Sequence, residues 1–157
     1  TQEDFIALGH DVFDYFGLGC RNVTHLMLPV GYDFTPLFQC WDEHFDWIRN
    51  HNKYANNYEY HRALLLMNLD PHIDTGYLIA KEKPELYAPV GMLNYSFYDS
   101  VDGVAQKLVE WGDSLQCTVS HLPLINSMNF GSTQCTQLYD FADGVDTLQW
   151  LIENRKA

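Results

Sequence analysis

The sequence predicts an α/β protein built on a mainly parallel, helix-covered sheet. Short β-branched or apolar runs alternate with stretches whose apolar residues recur at helical spacing, and Gly, Pro, Asn and Asp punctuate the joins. At 157 residues, with 46% apolar and 15% aromatic content, the chain suits one domain with a sizeable core, and no polar tract suggests disorder.

Taken in order, Asp4 to Phe16 carries Phe5, Ile6, Leu8, Val12, Phe13 and Phe16 in an approximate helical stripe, which Gly17 or Gly19 is expected to stop. Val23 to Val30 has strand texture and is closed by Pro29 and Gly31. Thr35 and Pro36 suit an N-cap and first helical position, ahead of a helix to about Asn50 that faces inward through Leu37, Phe38, Trp41, Phe45 and Ile48. Asn56 or Asn57 is expected to open a second helix, with Tyr60, Ala63, Leu64 and Met67 on one face. Beyond Asp70-Pro71 come strands over Tyr77 to Ala80 and Val90 to Tyr95, separated by the charged turn Lys81 to Pro84. Ser100 caps a helix holding Val101, Val104, Leu108 and Val109. Gln116 to Ser120 and Leu124 to Phe130 are extended, and Gly144 to Asn154 forms a closing helix with Val145, Leu148 and Leu151 turned inward.

Charge and composition exclude several classes. With 9 basic against 21 acidic residues the net charge is −12, so no basic patch exists to follow a nucleic-acid backbone. Apolar runs such as Ala63 to Met67 are far too short to span a bilayer. The four cysteines are sparse, and without a secretory signal pattern reduced thiols in a cytoplasmic setting are expected. No Cys-x-x-Cys pair occurs and the seven histidines are scattered, so no metal site is expected. The sequence opens at Thr1 without methionine and runs at once into a helical pattern, as a piece of a longer chain would.

The stretch Phe16-Gly17-Leu18-Gly19-Cys20-Arg21-Asn22-Val23-Thr24 has the most chemical content. Its glycines permit tight or left-handed backbone, and a cysteine just after them, at the mouth of an element, can expose its sulfur and receive backbone N–H donors. The structural alternative is a helix stop followed by a small packed thiol. Cys135, in the Gly131-containing loop, is the rival nucleophile; Cys40 beside Trp41 and Cys117 beside Thr118 and Val119 suit packing. His25 follows on the strand, but alternation does not make it a neighbour of Cys20, and a structural role suits it. Glu43-His44 and His51 lack a third metal ligand. The run Tyr54 to Tyr60 suits either a half-exposed helix surface or the wall of a ligand groove.

In the order of its pieces, the chain resembles the catalytic half of the aldehyde dehydrogenase superfamily, and within it the acyl-CoA reductase (LuxC-like) branch. Gly17-Leu18-Gly19-Cys20 matches a Gly-x-x-Cys loop between a helix and a strand. Glu85-Leu86-Tyr87-Ala88-Pro89-Val90 stands where the superfamily carries Glu-Ile-Phe-Gly-Pro-Val, followed by a strand and a helix beginning near Asp99-Ser100. The tail Ala142-Asp143-Gly144-Val145-Asp146-Thr147-Leu148 also resembles that branch. Two departures are plain: Leu18 replaces a common glutamine, removing a polar side chain beside the nucleophile, and Ala88 replaces glycine.

The resemblance implies an aldehyde-dehydrogenase-like catalytic domain over residues 1–157. It makes Cys20 the nucleophile that takes the acyl group from acyl-CoA as a thioester. It places Glu85 on the nicotinamide ribose and Tyr87 against the nicotinamide side, with NADP(H) or NAD(H) bound mainly by an upstream nicotinamide-binding domain outside this chain. The activity implied is an NAD(P)H-dependent reductase making a fatty aldehyde, usually as a homo-oligomer. On that basis this chain alone is expected not to turn over, although Cys20 can still be acylated. Two alternatives stand beside it: an acyl-phosphate reductase of the glutamyl-phosphate type, and a non-enzymatic α/β binding or assembly module with Cys20 buried and inert.

Overall fold

Helix α1 (Gln2–Phe13) opens on a capping box, in which Thr1 and Asp4 each satisfy the other's backbone N–H. A computed structural model describes residues 1–141 and 144–155 of the chain. From α1 the chain passes through a 3-10 turn (Asp14–Gly17) to strand β1 (His25–Pro29), helix α2 (Thr35–Phe45), a second 3-10 turn (Asp46–Asn50) and helix α3 (Asn52–Met67). Strands β2 (Ile73–Asp74), β3 (Ile79–Glu82) and β4 (Met92–Tyr98) follow, then helix α4 (Val101–Trp111), short strands β5 (Thr118–Val119) and β6 (Ser127–Met128), and helix α5 (Thr147–Glu153).

The main sheet runs β1-β4-β3-β2, with β1 and β3 both parallel to the central β4 and only the two-residue β2 antiparallel. A separate parallel pair joins β5 to β6. The protein is therefore mixed α/β with a mostly parallel sheet, as the alternation of textures predicts.

Period-two alternation sorts the sheet into two faces. Leu26, Leu78 and Leu93 are buried in one core with Val12 and Phe13 of α1 and Leu37, Trp41 and Phe45 of α2. Phe13 sits at its centre, its ring 5.2 Å from those of both Trp41 and Phe45 and 5.8 Å from Tyr77. The Trp41 indole N–H donates to the Phe5 carbonyl at 2.7 Å, so this buried ring leaves no polar atom orphaned. Here α1 and α2 cross at Gly9, where even a Cβ would lie 2.2 Å from the Phe45 ring. On the other face Ile79 packs with Tyr58 and Leu65 of α3, and His25 meets Trp111 of α4 edge-on at 5.1 Å.

Several boundaries differ from expectation for local reasons. Helix α1 ends at Phe13, ahead of both glycines, because Tyr15, Phe16 and Gly17 all take left-handed conformations. Phe34 rather than Thr35 is the cap residue of α2, and the Asp33 carboxylate accepts from the Thr35 N–H at 2.9 Å. Helix α3 begins at Asn52, four residues before Asn56, because the His51 ring accepts from the Tyr54 N–H. Tyr54 and Tyr58 are buried and Tyr60 is exposed, so the Tyr/Asn-rich run packs through one side of the helix. The largest correction concerns α5: Val145, Leu148 and Leu151 are not turned inward but are 47%, 70% and 55% exposed. The tail residues Ala142 and Asp143 lie outside the described residues. Among the described residues no helix is long and apolar enough to cross a membrane, and no group of three or more His, Cys, Asp or Glu could hold a metal ion.

Candidate functional site

Cys20 is exposed at the tip of a four-residue turn, Gly19 to Asn22, closed by the Asn22 N–H donating to the Gly19 carbonyl at 3.0 Å. Asn22 anchors this turn from below. Its Oδ1 accepts from the Gly19 N–H at 2.7 Å, and its buried Nδ2 donates to the carbonyls of Asp11, Val12 and Asp14 at 2.9, 3.2 and 3.0 Å. Those carbonyls lie at the end of α1, so one side chain both caps the helix and fixes the turn. The N–H groups of Cys20 and Arg21 find no acceptor among the described residues.

The approach to the turn is strained. Tyr15 (φ 54°, ψ 23°) and Phe16 (φ 60°, ψ 29°) are left-handed without being glycine, a conformation that costs about 1–3 kcal/mol per residue and persists only where surroundings enforce it. Phe16 is enforced by stacking on His51, with ring centroids 3.6 Å apart.

Two cavities meet at Gly19, Cys20 and Arg21. The larger, ≈ 590 Å³, runs between β1 and α4 and is mainly apolar, its walls including Leu26, Leu108, Trp111 and Phe130. The smaller, ≈ 560 Å³, is lined by Tyr15, Phe16, Leu18, Gln134, Thr136 and Asp140. Arg21 Nη1 lies 3.6 Å from the Asp140 carboxylate at the second of these.

The segment Glu85 to Tyr87 crosses the sheet as an extended strap rather than a strand, bonded through three successive carbonyls. Glu85 O accepts from His25 Nδ1 (2.9 Å) and Asn94 Nδ2 (3.0 Å), Leu86 O from Thr24 Oγ1 (2.9 Å), and Tyr87 O from Asn94 Nδ2 (2.8 Å). Tyr87 thereby lines the same cavity as Cys20, with its hydroxyl donating to the Ser114 carbonyl at 2.9 Å. Glu85 is exposed and lies outside that lining; its carboxylate makes no hydrogen bond or ion pair among the described residues.

His25 is fully engaged. Nδ1 must carry the proton it gives to Glu85 O, which leaves Nε2 to accept from the Ser96 hydroxyl at 2.8 Å. Burial pushes its pKa below the ordinary 6.5, only partly opposed by the Glu85 carbonyl and carboxylate. It is a strut and not a base for Cys20. Among the other thiols, Cys117 is half-buried, its Sγ 3.8 Å from the Arg21 carbonyl, and burial raises its pKa while Arg21 partly offsets this. Cys40 is buried and likewise raised by burial, as a packing thiol should be. Cys135, the rival nucleophile, is exposed but lines neither of these cavities.

The residues that assemble the site were not evident as a set in the sequence. Asp11 is 1% exposed; its carboxylate accepts from Gly131 N (2.7 Å), Thr133 N (3.0 Å) and Thr133 Oγ1 (2.9 Å), stapling a loop 120 residues away to α1. That loop sets Gln134 against Gly19. A Cβ on Gly19 would lie 2.8 Å from Asn22 Oδ1 and 3.0 and 3.1 Å from the two ends of the Gln134 amide, so a side chain there would have to displace one of these amides. The one available signal was an acid beside Val12 and Phe13 on the apolar side of a helix.

Comparison of the chain with protein-family models, with curated proteins and with solved structures gives no match.

Proposed function

We propose that this chain is the nucleophile-bearing part of an NAD(P)H-dependent acyl-CoA reductase, with an aldehyde-dehydrogenase-like catalytic fold. In this reading the Cys20 thiolate attacks the thioester carbonyl of acyl-CoA. A new C–S bond forms, the bond to the CoA sulfur breaks, and CoA leaves as the thiolate. The observation that carries the reading is the setting of Cys20: an exposed thiol on a rigidly anchored turn, its own N–H without an acceptor among the described residues, where two mainly apolar cavities meet. A free N–H at the nucleophile is what a developing oxyanion requires, and apolar walls beside it suit an acyl chain.

A nicotinamide cofactor, when bound, would supply the hydride that releases the acyl group as aldehyde. In this reading Tyr87, which lines the Cys20 cavity, would meet the nicotinamide side, and Glu85, exposed and outside that lining, would meet the ribose. For the pyrophosphate the chain offers no Gly-x-Gly-x-x-Gly loop. That end of the cofactor belongs to another domain in this reading, and the chain alone binds the cofactor poorly.

The test is mass spectrometry of the native chain after brief exposure to lauroyl-CoA, with Cys20→Ala and Cys135→Ala alongside. A lauroyl adduct lost only in Cys20→Ala is expected. An adduct lost only in Cys135→Ala would move the nucleophile to the other loop. An assembly module is the second reading, favoured by the exposed apolar side chains of α5, among them Leu148, Trp150, Leu151 and Ile152; it predicts no adduct on any cysteine.

A further inference from the structure

We propose that Cys20 and Cys117 form a reversible disulfide within one chain when Cys20 meets a hydroperoxide, so that the thiol of the turn is withdrawn and restored by redox conditions. This inference does not rest on the acyl-transfer reading above. All four cysteines are free thiols, and of the four only Cys20 and Cys117 line the ≈ 590 Å³ cavity between β1 and α4. The Cys117 thiol donates to the Arg21 carbonyl at 3.8 Å, which sets its sulfur against the residue next to Cys20. The other two thiols are placed elsewhere. Cys40 is buried against the Gln2 carbonyl, and Cys135 turns to the Gly131 carbonyl. Residues Leu115 to Cys117 belong to no helix or strand, and Cys20 sits at a turn tip. Any adjustment towards the Cα–Cα separation of about 4.4–6.8 Å that a disulfide needs therefore falls on backbone outside the sheet and helices.

Exposure sets the order of events. Cys20 is open to the oxidant and Cys117 is half-buried, so Cys20 reacts first. Its thiolate attacks the peroxide, the O–O bond breaks, and the sulfur gives up two electrons to become a sulfenic acid. The Cys117 thiolate then attacks that sulfur. The S–S bond forms, the S–O bond breaks, and the departing hydroxide takes up a proton to leave as water. A dithiol reverses the sequence by exchange. The electrostatics favour this order as well. Burial raises the Cys117 pKa, Arg21 lowers it, and the charges of Asp11 and Cys20 raise it further. The two thiols are thus close enough to feel one another, and the Cys20 charge vanishes once its sulfur is an uncharged sulfenic acid. Oxidation of Cys20 removes one obstacle to ionising Cys117 at the moment its thiolate is needed, while the Arg21 cation stays beside it.

The experiment treats the native chain, Cys117→Ser and Cys135→Ser with hydrogen peroxide, blocks the remaining thiols with N-ethylmaleimide, and maps peptides by mass spectrometry without reduction. The wild type and Cys135→Ser are expected to give one linked pair, the Cys20 peptide joined to the Cys117 peptide and lighter by two hydrogens. The chain should stay monomeric on a non-reducing gel, and dithiothreitol should abolish the link. In Cys117→Ser the link should be lost, and dimedone should capture Cys20 as the sulfenic acid. A bridge from Cys20 to Cys135, or one that joins two chains, would overturn the proposal. So would a Cys20 that passes to sulfinic acid, or stays a thiol, while Cys117 is alkylated. Should serine at position 117 unfold the chain, the wild-type map still decides the partner of Cys20. None of these outcomes bears on acyl transfer to reduced Cys20, so this proposal and that reading fail separately.

Discussion

Replacing Asn22 by alanine removes the one side chain that joins the end of α1 to the Cys20 turn. The wild-type side chain accepts from Gly19 N–H at 2.7 Å and spreads two amide protons over three carbonyls at 2.9–3.2 Å, in a residue 8% exposed. Counting three net hydrogen bonds at ~1 kcal/mol each gives a loss of about 3 kcal/mol, and a carbonyl left buried without a partner adds about 1 kcal/mol or more. The Asp11 carbonyl is spared, because it also accepts from Val23 N–H at 3.0 Å. The expected cost is therefore about 3–4 kcal/mol, a large part of the stability of an ordinary domain. Urea unfolding followed by tryptophan fluorescence should show a lower midpoint with an unchanged slope. Asn22→Asp sharpens the test. It preserves the acceptor for Gly19 but turns a second acceptor towards three carbonyls, so it should cost more than alanine despite its closer shape. A loss below ~1 kcal/mol in Asn22→Ala would contradict the hydrogen-bond accounting. An aspartate variant as stable as the alanine variant would show that the amide protons do not matter.

His25 gives a pH prediction. Its native pKa lies below 6.5 because burial disfavours the cation, so the unfolded chain binds more protons in the window beneath 6.5. Stability is thus at its full value above 6.5 and falls as the pH drops through that window. His25→Gln should flatten this part of the stability–pH curve, and an unaltered curve would exclude His25 as the source. Gly9→Ala places a Cβ 2.2 Å from the Phe45 ring at the α1–α2 crossing. Overpacking of this kind typically costs about 1–3 kcal/mol, against a gain of up to about 1 kcal/mol from alanine's helix propensity. A net fall in the thermal midpoint is expected, and a rise would mean that Phe45 has another rotamer to occupy.

What the sequence made legible was whatever depends on local pattern. The apolar run before Pro29 gave β1, Ser100 gave the start of α4, and the alternation of textures gave the parallel sheet. Boundaries failed where a single side chain overrode the pattern, as His51 does at α3 and as the left-handed Tyr15 and Phe16 do at α1. Phe16 fits a helical stripe by spacing, and nothing local says that stacking on His51 will hold it in a strained conformation. The apolar positions of α5 have helical spacing, and spacing cannot say whether a core lies beside them. At the site, the sequence singled out Cys20, and the family resemblance the Glu85-to-Tyr87 segment, but neither pointed to their supports. Asn22 lay inside the stretch around Cys20 with no role assigned to it, and Asp11 and Gln134 gain meaning only from contacts between distant parts of the chain.

Those long-range contacts share one origin, which explains why the turn and the loop stay in register. Asp11 contributes its carboxylate to the loop at Gly131 and Thr133 and its carbonyl to Asn22 and Val23, so one residue of α1 is bonded to both sides of the Gly19–Gln134 approach. Phe13, two residues on, locks this end of α1 into the aromatic core. The Cys20 turn and the loop that carries Gln134 are then positioned relative to one helix end, not independently. A substitution that loosens that helix end should disturb turn and loop together. Asn22 and Asp11 variants are accordingly coupled: their stability losses should fall short of additivity, because the first change already releases part of what the second would release.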